Sequence, residues 1–243
     1  MDPSKPEIFD AKIIAKESPA PGIVTLRLAP VDGRKLEFLQ GQFAMLCFPD
    51  EPDPKLKCRA YSVSSSATQT DHIDLTIKVV KEWTTRMTSM PVGSVIQLKF
   101  PFGHFTLENN DDPVTFIAGG IGVTPFVGML RWIASSGSKK KAYLFYSAHT
   151  QSGLAFKQDL EKLAASCPSI KLCLSVSGSP EEEPGWTGPR GRISSDLMRC
   201  NIPDDTSKMK AYICGPNAMI PAMQDALAKA GFAKENIKLE SFG

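Results

Sequence analysis

Nine residues, RAYSVSSSA (Arg59–Ala67), bring a guanidinium, a phenol and four hydroxyls into one short run. In an extended chain Arg59, Tyr61, Val63 and Ser65 face one side, and Ala60, Ser62 and Ser64 the other. Serine is a poor strand former, so something besides packing selects it here. Taken alone, the run also fits an edge strand entering a polar turn. A second run, FIAGGIGVTP (Phe116–Pro125), leads an apolar strand into Gly119, Gly120 and Gly122, then into a helix starting at Thr124 and Pro125. Glycines allow the close backbone approach that a pyrophosphate needs. A helix N-terminus adds free N–H groups and a positive dipole end. Pro125 suits the first helical turn, where its missing N–H costs nothing. A glycine-rich turn with no ligand would read the same way. The common dinucleotide fingerprint is not met: Pro125 takes the place of its third glycine, and no Asp or Glu follows about 20 residues on. A simple alcohol-type dehydrogenase is disfavoured on that ground.

Two further runs carry reactive groups. In YICGPNAMI (Tyr212–Ile220) a strand ends in Cys214, Gly215 and Pro216, before a helix with Met219, Met223 and Leu227. Ligands of open α/β sheets sit beyond the carboxyl ends of strands, where Cys214 would lie; a core cysteine is the plainer account of that residue alone. The chain closes on KLESFG, which sets Glu240 and Phe242 at the carboxyl edge of a last strand or in a frayed tail.

The elements that must position these groups change rhythm part-way along the chain. The first half holds the short β-branched and aromatic runs FDAKIIAKE, GIVTLRLAP, GQFAMLCFP, CRAYSVSSS, HIDLTIKVV and SVIQLKFPF, parted by Gly, Pro and Asp clusters. That spacing predicts an antiparallel barrel or sandwich, with one short helix over Thr84–Met90. The second half alternates the apolar strands PVTFIAG, KAYLFYSA, IKLCLSVS, KAYICG and IKLES with helical segments. Phe126, Leu130, Ile133 and Ala134, and again Phe156, Leu160, Leu163 and Ala164, recur at helical spacing. Alternating strand and helix predicts a parallel sheet covered on both faces. The boundary is expected in ENNDDP (Glu108–Pro113), giving a β domain over 1–110 and an α/β domain over 111–243.

Composition bounds the partners. Over 243 residues, 28 basic against 26 acidic side chains give a net charge of +2, so no nucleic-acid partner is implied. The dense basic run SKKKA (Ser138–Ala142) reads as a solvated turn. The six cysteines form no C-x-x-C pair, and His72, His104 and His149 are scattered, which argues against a zinc or iron–sulfur site. No secretory leader or 18-residue apolar run is seen, so no membrane span is expected, and reduced thiols in a cytoplasmic compartment are.

In order along the chain stand G-Q-x with R-x-Y-S, then G-G-x-G-x-T-P, then C-G-P, and last E-x-F. This pattern resembles the ferredoxin–NADP reductase superfamily, the two-domain flavin reductases that include cytochrome b5 reductases and oxygenase reductase components. The resemblance implies an N-terminal antiparallel Greek-key β-barrel for the flavin, followed by a five-stranded parallel α/β domain for NAD(P). It assigns Arg59 to the flavin pyrophosphate, a role suited to a planar, permanently charged donor. Tyr61 would pack on the isoalloxazine, Ser62 would stand near flavin N5, and Val63, Ser64 and Ser65 would continue the cradle. Ala60, Ile77, Lys78, Val79, Thr84 and Thr85 complete the flavin set. The glycine expected ahead of Thr84 is Lys81, so Lys81 or Arg86 would supply charge at the phosphates. PFGHF (Pro101–Phe105) matches the family's P-x-G-x-F strand. On the second domain, Gly119, Gly120, Gly122, Val123, Thr124 and Pro125 would hold the nicotinamide dinucleotide, with Cys214, Gly215 and Pro216 near the nicotinamide. Glu240 would join the polar network of the hydride path, and Phe242 would cover the flavin until nicotinamide displaces it.

The implied activity is hydride transfer from nicotinamide C4 to flavin N5, with electrons passed to a separate acceptor protein or a small oxidant. FAD is expected over FMN, from the pattern YSVSS. NADH is expected over NADPH, because SAHT and SVSGSPEEEP offer only His149 to a 2′-phosphate, with Arg190 and Arg192 as the residues that could reverse this. The alternative is a non-catalytic electron-relay or redox-sensing subunit of a larger complex.

Overall fold

The computed structural model describes residues 5–203 and 205–242, and the chain divides into two compact units. The first comprises the residues up to Glu108 together with Val127–Ser136, and the second Asn109–Phe126 and Gly137 onward. The strands of the first unit are β1 (Glu7–Ala20), β2 (Ile23–Pro30), β3 (Phe43–Cys47), β4 (Cys58–Ser62), β5 (Ile73–Lys78) and β6 (Val95–Phe102). Helix α1 (Pro54–Lys57) precedes β4, and α2 (Glu82–Ser89) lies between β5 and β6. The strands pair antiparallel in the order β4-β3-β6-β1-β2-β5. Just past β4, Val63 bridges Leu75 of β5, so the two edges of the sheet meet. Strand β1 serves both neighbours: Glu7–Lys12 pair with β6 and Ala11–Ala20 with β2. Register shifts at Ile13/Ala15 and Glu17/Ala20 bend it between those partners, as bulges do in barrels. The inward residues Ile13, Leu26, Leu28, Leu46, Leu75, Ile77, Leu98 and Phe100 are buried as one core, which realises the predicted barrel.

The second unit has a five-stranded parallel sheet of β7 (Val114–Gly119), β8 (Ala142–Ala148), β9 (Ile170–Val176), β10 (Lys210–Pro216) and β11 (Ile237–Phe242). Helices α4 (Lys157–Ser166), α5 (Ser195–Asn201) and α6 (Ile220–Lys229) connect or flank the strands, while α3 (Thr124–Ser135) starts in this unit and belongs to the first from Val127 on. The spatial order is β11-β10-β7-β8-β9. The chain therefore runs outward from β7 to β9, then returns to β7's other side with β10. Such a reversal opens a crevice at the carboxyl ends of the two central strands.

Two expectations are corrected by packing. Cys47 and Cys58 face each other in the β3–β4 register with Cα atoms 4.2 Å apart and form a disulfide. Spacing along the chain could not show that pairing, and the expectation of reduced thiols fails for these two; Cys167, Cys173, Cys200 and Cys214 are free. The basic run is not wholly solvated either. Lys140 is 2% exposed, and its Nζ donates to Asn110 Oδ1 at 2.6 Å and to the Asp112 carbonyl at 2.7 Å. A buried ammonium needs such acceptors, and here they tie the segment before β7 to the start of β8. Among the described residues no helix is long and apolar enough to cross a membrane, and no group of three or more His, Cys, Asp or Glu is placed to hold a metal ion.

Candidate functional site

The first unit presents Arg59, Ala60, Tyr61 and Ser62 on β4. Ladder pairing with β3 fixes this stretch, Ser62 opposite Phe43 and Tyr61 opposite Ala44. Ser62 is buried, while Arg59 and Tyr61 are half-buried. The serines after it leave the ladder, which answers why they are serines. Ser64 Oγ donates to the Asp74 carbonyl and pairs with Thr76 Oγ1, each at 3.1 Å, and Ser65 Oγ accepts from Asp74 N at 3.0 Å. Their hydroxyls therefore satisfy buried polar groups of β5, a different task from the expected flavin cradle.

Aromatic rings line the same region. Trp83 of α2 stacks beside Tyr61 with centroids 6.0 Å apart, and Phe48 meets its edge at 5.2 Å. The Arg59 guanidinium lies 5.7 Å from the Trp83 ring centre, and its Nη1 donates to the Cys58 carbonyl at 2.9 Å. Burial pushes the Tyr61 phenol up to about 12, opposed by the positive charge of Arg59.

The turn before α2 works without the glycine that the motif lacks. Lys81 has φ −147°, extended backbone open to any residue. Thr84 Oγ1 accepts from the N–H groups of Val80 (2.9 Å) and Lys81 (3.0 Å) and donates to the Lys81 carbonyl at 2.7 Å. Thr85 Oγ1 bonds the same carbonyl at 3.1 Å. Arg86 pairs with Asp50 at 2.8 Å and lies 3.8 Å above Phe48, so its charge is already matched. Of the remaining residues expected here, Ile77 is core, while Lys78 is exposed; Val79 donates its N–H to the Gly22 carbonyl at 2.8 Å.

In the second unit the glycines divide by task. A Cβ on Gly122 would collide with the Cys214 carbonyl, and one on Gly119 would stand 2.5 Å from Met219 Sδ. Both let the turn lie against the end of β10 and the residues after it. Gly120 alone faces open space, with φ +54°, a left-handed conformation that favours glycine. Residues Gly120–Val123 form a 3₁₀ turn leading into α3, and Thr124 Oγ1 donates to the Ile121 carbonyl at 3.1 Å, with Pro125 next in the helix. The β10–β11 register sets Cys214 opposite Glu240, Gly215 opposite Ser241 and Pro216 opposite Phe242. Cys214 is fully buried; burial first, and the Glu240 carboxylate second, push its thiol far up, so it stays protonated. Each unit thus collects its own half of the expected residues.

The residues suit the cofactors that the pattern implies. Trp83 Nε1 is a buried donor with no hydrogen-bond partner, an exception that folded proteins rarely leave without a ligand or a function. Trp83 was missed by motif; the only signal was an aromatic directly before Thr84. At the switch point, the open side of Gly120 leaves space beside a helix N-terminus, as an anionic dinucleotide requires.

Comparison with known proteins agrees in both halves. Residues 10–107 match the family model of an oxidoreductase FAD-binding domain, and residues 116–225 that of an oxidoreductase NAD-binding domain. The chain carries the FAD-binding and the NAD-binding domain of flavin oxidoreductases, in the order that the resemblance to the ferredoxin–NADP reductase superfamily implies. It is 28% identical over 212 residues to the glycine betaine monooxygenase reductase subunit of Chromohalobacter salexigens, matching 85% of this chain and 56% of that one. It is also 28% identical to the propane 2-monooxygenase reductase component of Rhodococcus jostii (90% of this chain, 60% of the relative). NADH-cytochrome b5 reductase 1 of Aspergillus clavatus is 28% identical too (80% and 65%). The chain therefore spans less than two thirds of the length of these relatives. Among solved structures, the cytochrome b5 reductase domain of Ulva prolifera nitrate reductase superposes with a TM-score of 0.81 at 23% identity, covering 100% of this chain and 98% of that one. The FAD/NAD-binding domain of Vibrio cholerae nitric oxide dioxygenase gives 0.83 at 19% identity, covering 97% and 98%. Both likenesses establish the fold.

Two outcomes follow from this geometry. Gly122→Ala meets backbone that has nowhere to move, so it should lower unfolding stability by the ~1–3 kcal/mol of an overpacked site or more; an unchanged urea midpoint would show that the turn is not packed on β10. The Tyr61 phenol, raised from 10.0 to about 12, keeps its proton in the folded state where the unfolded chain loses it. Its contribution is complete below pH 10 and is lost as pH rises towards 12. Stability of Tyr61→Phe should fall less steeply across that window than wild type, as measured by urea midpoints; identical slopes would contradict the buried phenol.

Proposed function

We propose that this protein is an FAD-containing oxidoreductase that takes hydride from NADH and passes electrons to a separate acceptor. The observation that carries the reading is the presence of two separate sites in one chain, one in each unit. One is the Arg59–Ser62 strand beside the orphaned Trp83 donor; the other is the open Gly120 turn at the switch point, with Cys214 and Glu240 in register. When bound, FAD supplies a ring that accepts a hydride at N5 and releases electrons singly or as a pair. Arg59 binds its pyrophosphate, Tyr61 and Trp83 give it apolar surface, and Ser62 offers a hydroxyl at the reactive edge. Gly120 and the first turn of α3 bind the dinucleotide phosphates. Cys214, kept neutral, and Glu240 orient the nicotinamide, and Phe242 is the aromatic that gives way to it. The relatives, reductase components of oxygenases and a cytochrome b5 reductase, point to an oxygenase component or a cytochrome as the class of acceptor.

The preference for NADH rests on the loops after β8 and β9. Of the two arginines that could reverse the preference, Arg190 is engaged by backbone: it donates to the carbonyls of Glu183 (2.6 Å), Trp186 (3.0 Å) and Ser179 (3.5 Å). His149 lies 3.9 Å from Glu182, whose carboxylate would repel a phosphate.

Anaerobic titration of the FAD-loaded protein should bleach the flavin faster with NADH than with NADPH at matched concentration, and equal or NADPH-led rates would overturn the preference. Arg59→Ala should lose FAD on dialysis, because a charged hydrogen bond worth roughly 1.5–3 kcal/mol is removed. Full occupancy in that variant would overturn the role of Arg59.

A further inference from the structure

After Ser62 the chain leaves the β3–β4 ladder, and its carbonyls need donors from elsewhere. Helix α3 supplies one. Arg131 Nη1 donates to the Ser64 carbonyl at 2.9 Å, and the same nitrogen is 3.8 Å from Asp74 Oδ2. Asp74 is held in turn by Arg27, with Nε to Oδ1 at 2.8 Å and Nη2 to Oδ2 at 3.0 Å, and its side chain is 4% exposed. Three residues before Arg131, an added Cβ on Gly128 would stand 2.6 Å from the Val63 carbonyl and 3.1 Å from that of Ser65. Four residues after it, Ser135 Oγ is 3.0 Å from both Ser66 Oγ and Thr68 Oγ1. Gly128, Arg131 and Ser135 fall at i, i+3 and i+7, one face of the helix. That face is therefore laid along the segment following the flavin strand, polar group to polar group. The same helix begins at Thr124, the end of the glycine-rich turn, two turns before Arg131.

We propose that Arg131 is a positioning residue for hydride transfer: with the buried Asp74 carboxylate it fixes α3 on Val63–Ser66 and so holds Ser62 in place for the flavin. Arginine suits this task because one planar group serves a carbonyl and a carboxylate together. The Ser64 carbonyl is buried, so losing its donor leaves an unsatisfied acceptor and frees the segment to shift. A shift of ~1 Å at a reacting centre costs on the order of 10²-fold in rate, and a fraction of that displacement is expected here. This inference rests on the oxidoreductase reading above.

The test uses Arg131→Met and Arg131→Lys in the full chain. In FAD-free protein, amide hydrogen exchange over Val63–Ser66 should rise about tenfold in Arg131→Met and return most of the way in Arg131→Lys, which keeps one donor for the Ser64 carbonyl. With FAD bound, the limiting rate of flavin reduction by NADH should fall about tenfold in Arg131→Met, while FAD occupancy and the NADH dissociation constant stay within twofold of wild type. A limiting rate within twofold of wild type would overturn the proposal, as would a loss of rate that tracks loss of FAD. Should Arg131→Met fail to fold, Gly128→Ala, which forces the helix off two carbonyls, should show the same split, and a wild-type limiting rate there overturns it equally. A wild-type protein that NADH does not reduce overturns the proposed activity instead, and the exchange measurement still decides whether Arg131 holds the segment.

Discussion

Strand register is the constraint on which both halves of this protein depend. A ladder one residue out of step turns every side chain to the other face, so the hydrophobic cores fix the register firmly. The chemistry follows from it. The β10–β11 pairing sets the Cys214 thiol against Glu240 and the terminal Phe242 against Pro216. In the barrel the β3–β4 pairing sets Cys47 against Cys58 and presents Arg59, Tyr61 and Ser62 beyond that pair. The Val63–Leu75 bridge then brings the end of the R-x-Y-S strand to β5.

Much of this was legible in the sequence, because periodicity is local. The β-branched runs of the first half and the alternation of strand with 3.6-residue periodicity in the second reappear in the strands and helices formed, often to within two residues. What was not legible involves partners distant in the chain. The Cys47–Cys58 pair needs the register of two strands, and the six thiols gave no hint of it. Lys140 looked solvated because its neighbours Lys139 and Lys141 are; its acceptors, Asn110 and Asp112, lie about thirty residues earlier. The serines of RAYSVSSSA were correctly singled out as chosen for something other than packing, yet the hydroxyls of Ser64 and Ser65 serve β5.

The glycines of the glycine-rich turn divide between two tasks. All its glycines were taken as room for a phosphate. Two of them are room for protein: Gly122 clears the Cys214 carbonyl and Gly119 clears Met219. Only Gly120 combines an open side with a left-handed backbone. The missing glycine at Lys81 is the converse case. An extended residue there, with the Thr84 hydroxyl accepting from the N–H groups of Val80 and Lys81, closes the turn by side-chain bonding, without the backbone freedom that a glycine would bring.

The pairing of Cys214 with Glu240 also constrains the charge available at the switch point. Two ionised groups side by side on neighbouring strands would repel, and burial alone already opposes a thiolate at Cys214. Both effects act in the same direction on Cys214 and hold its proton on sulfur. The pair therefore offers a weak neutral donor beside a carboxylate rather than a nucleophile. A thiolate would attack electrophiles and exchange with disulfides, reactions that the neutral thiol does not undertake. Under the proposed activity, a nicotinamide held there would gain positive charge on losing a hydride, and the Glu240 carboxylate would favour that change, so the residue that silences the cysteine would also assist the reaction.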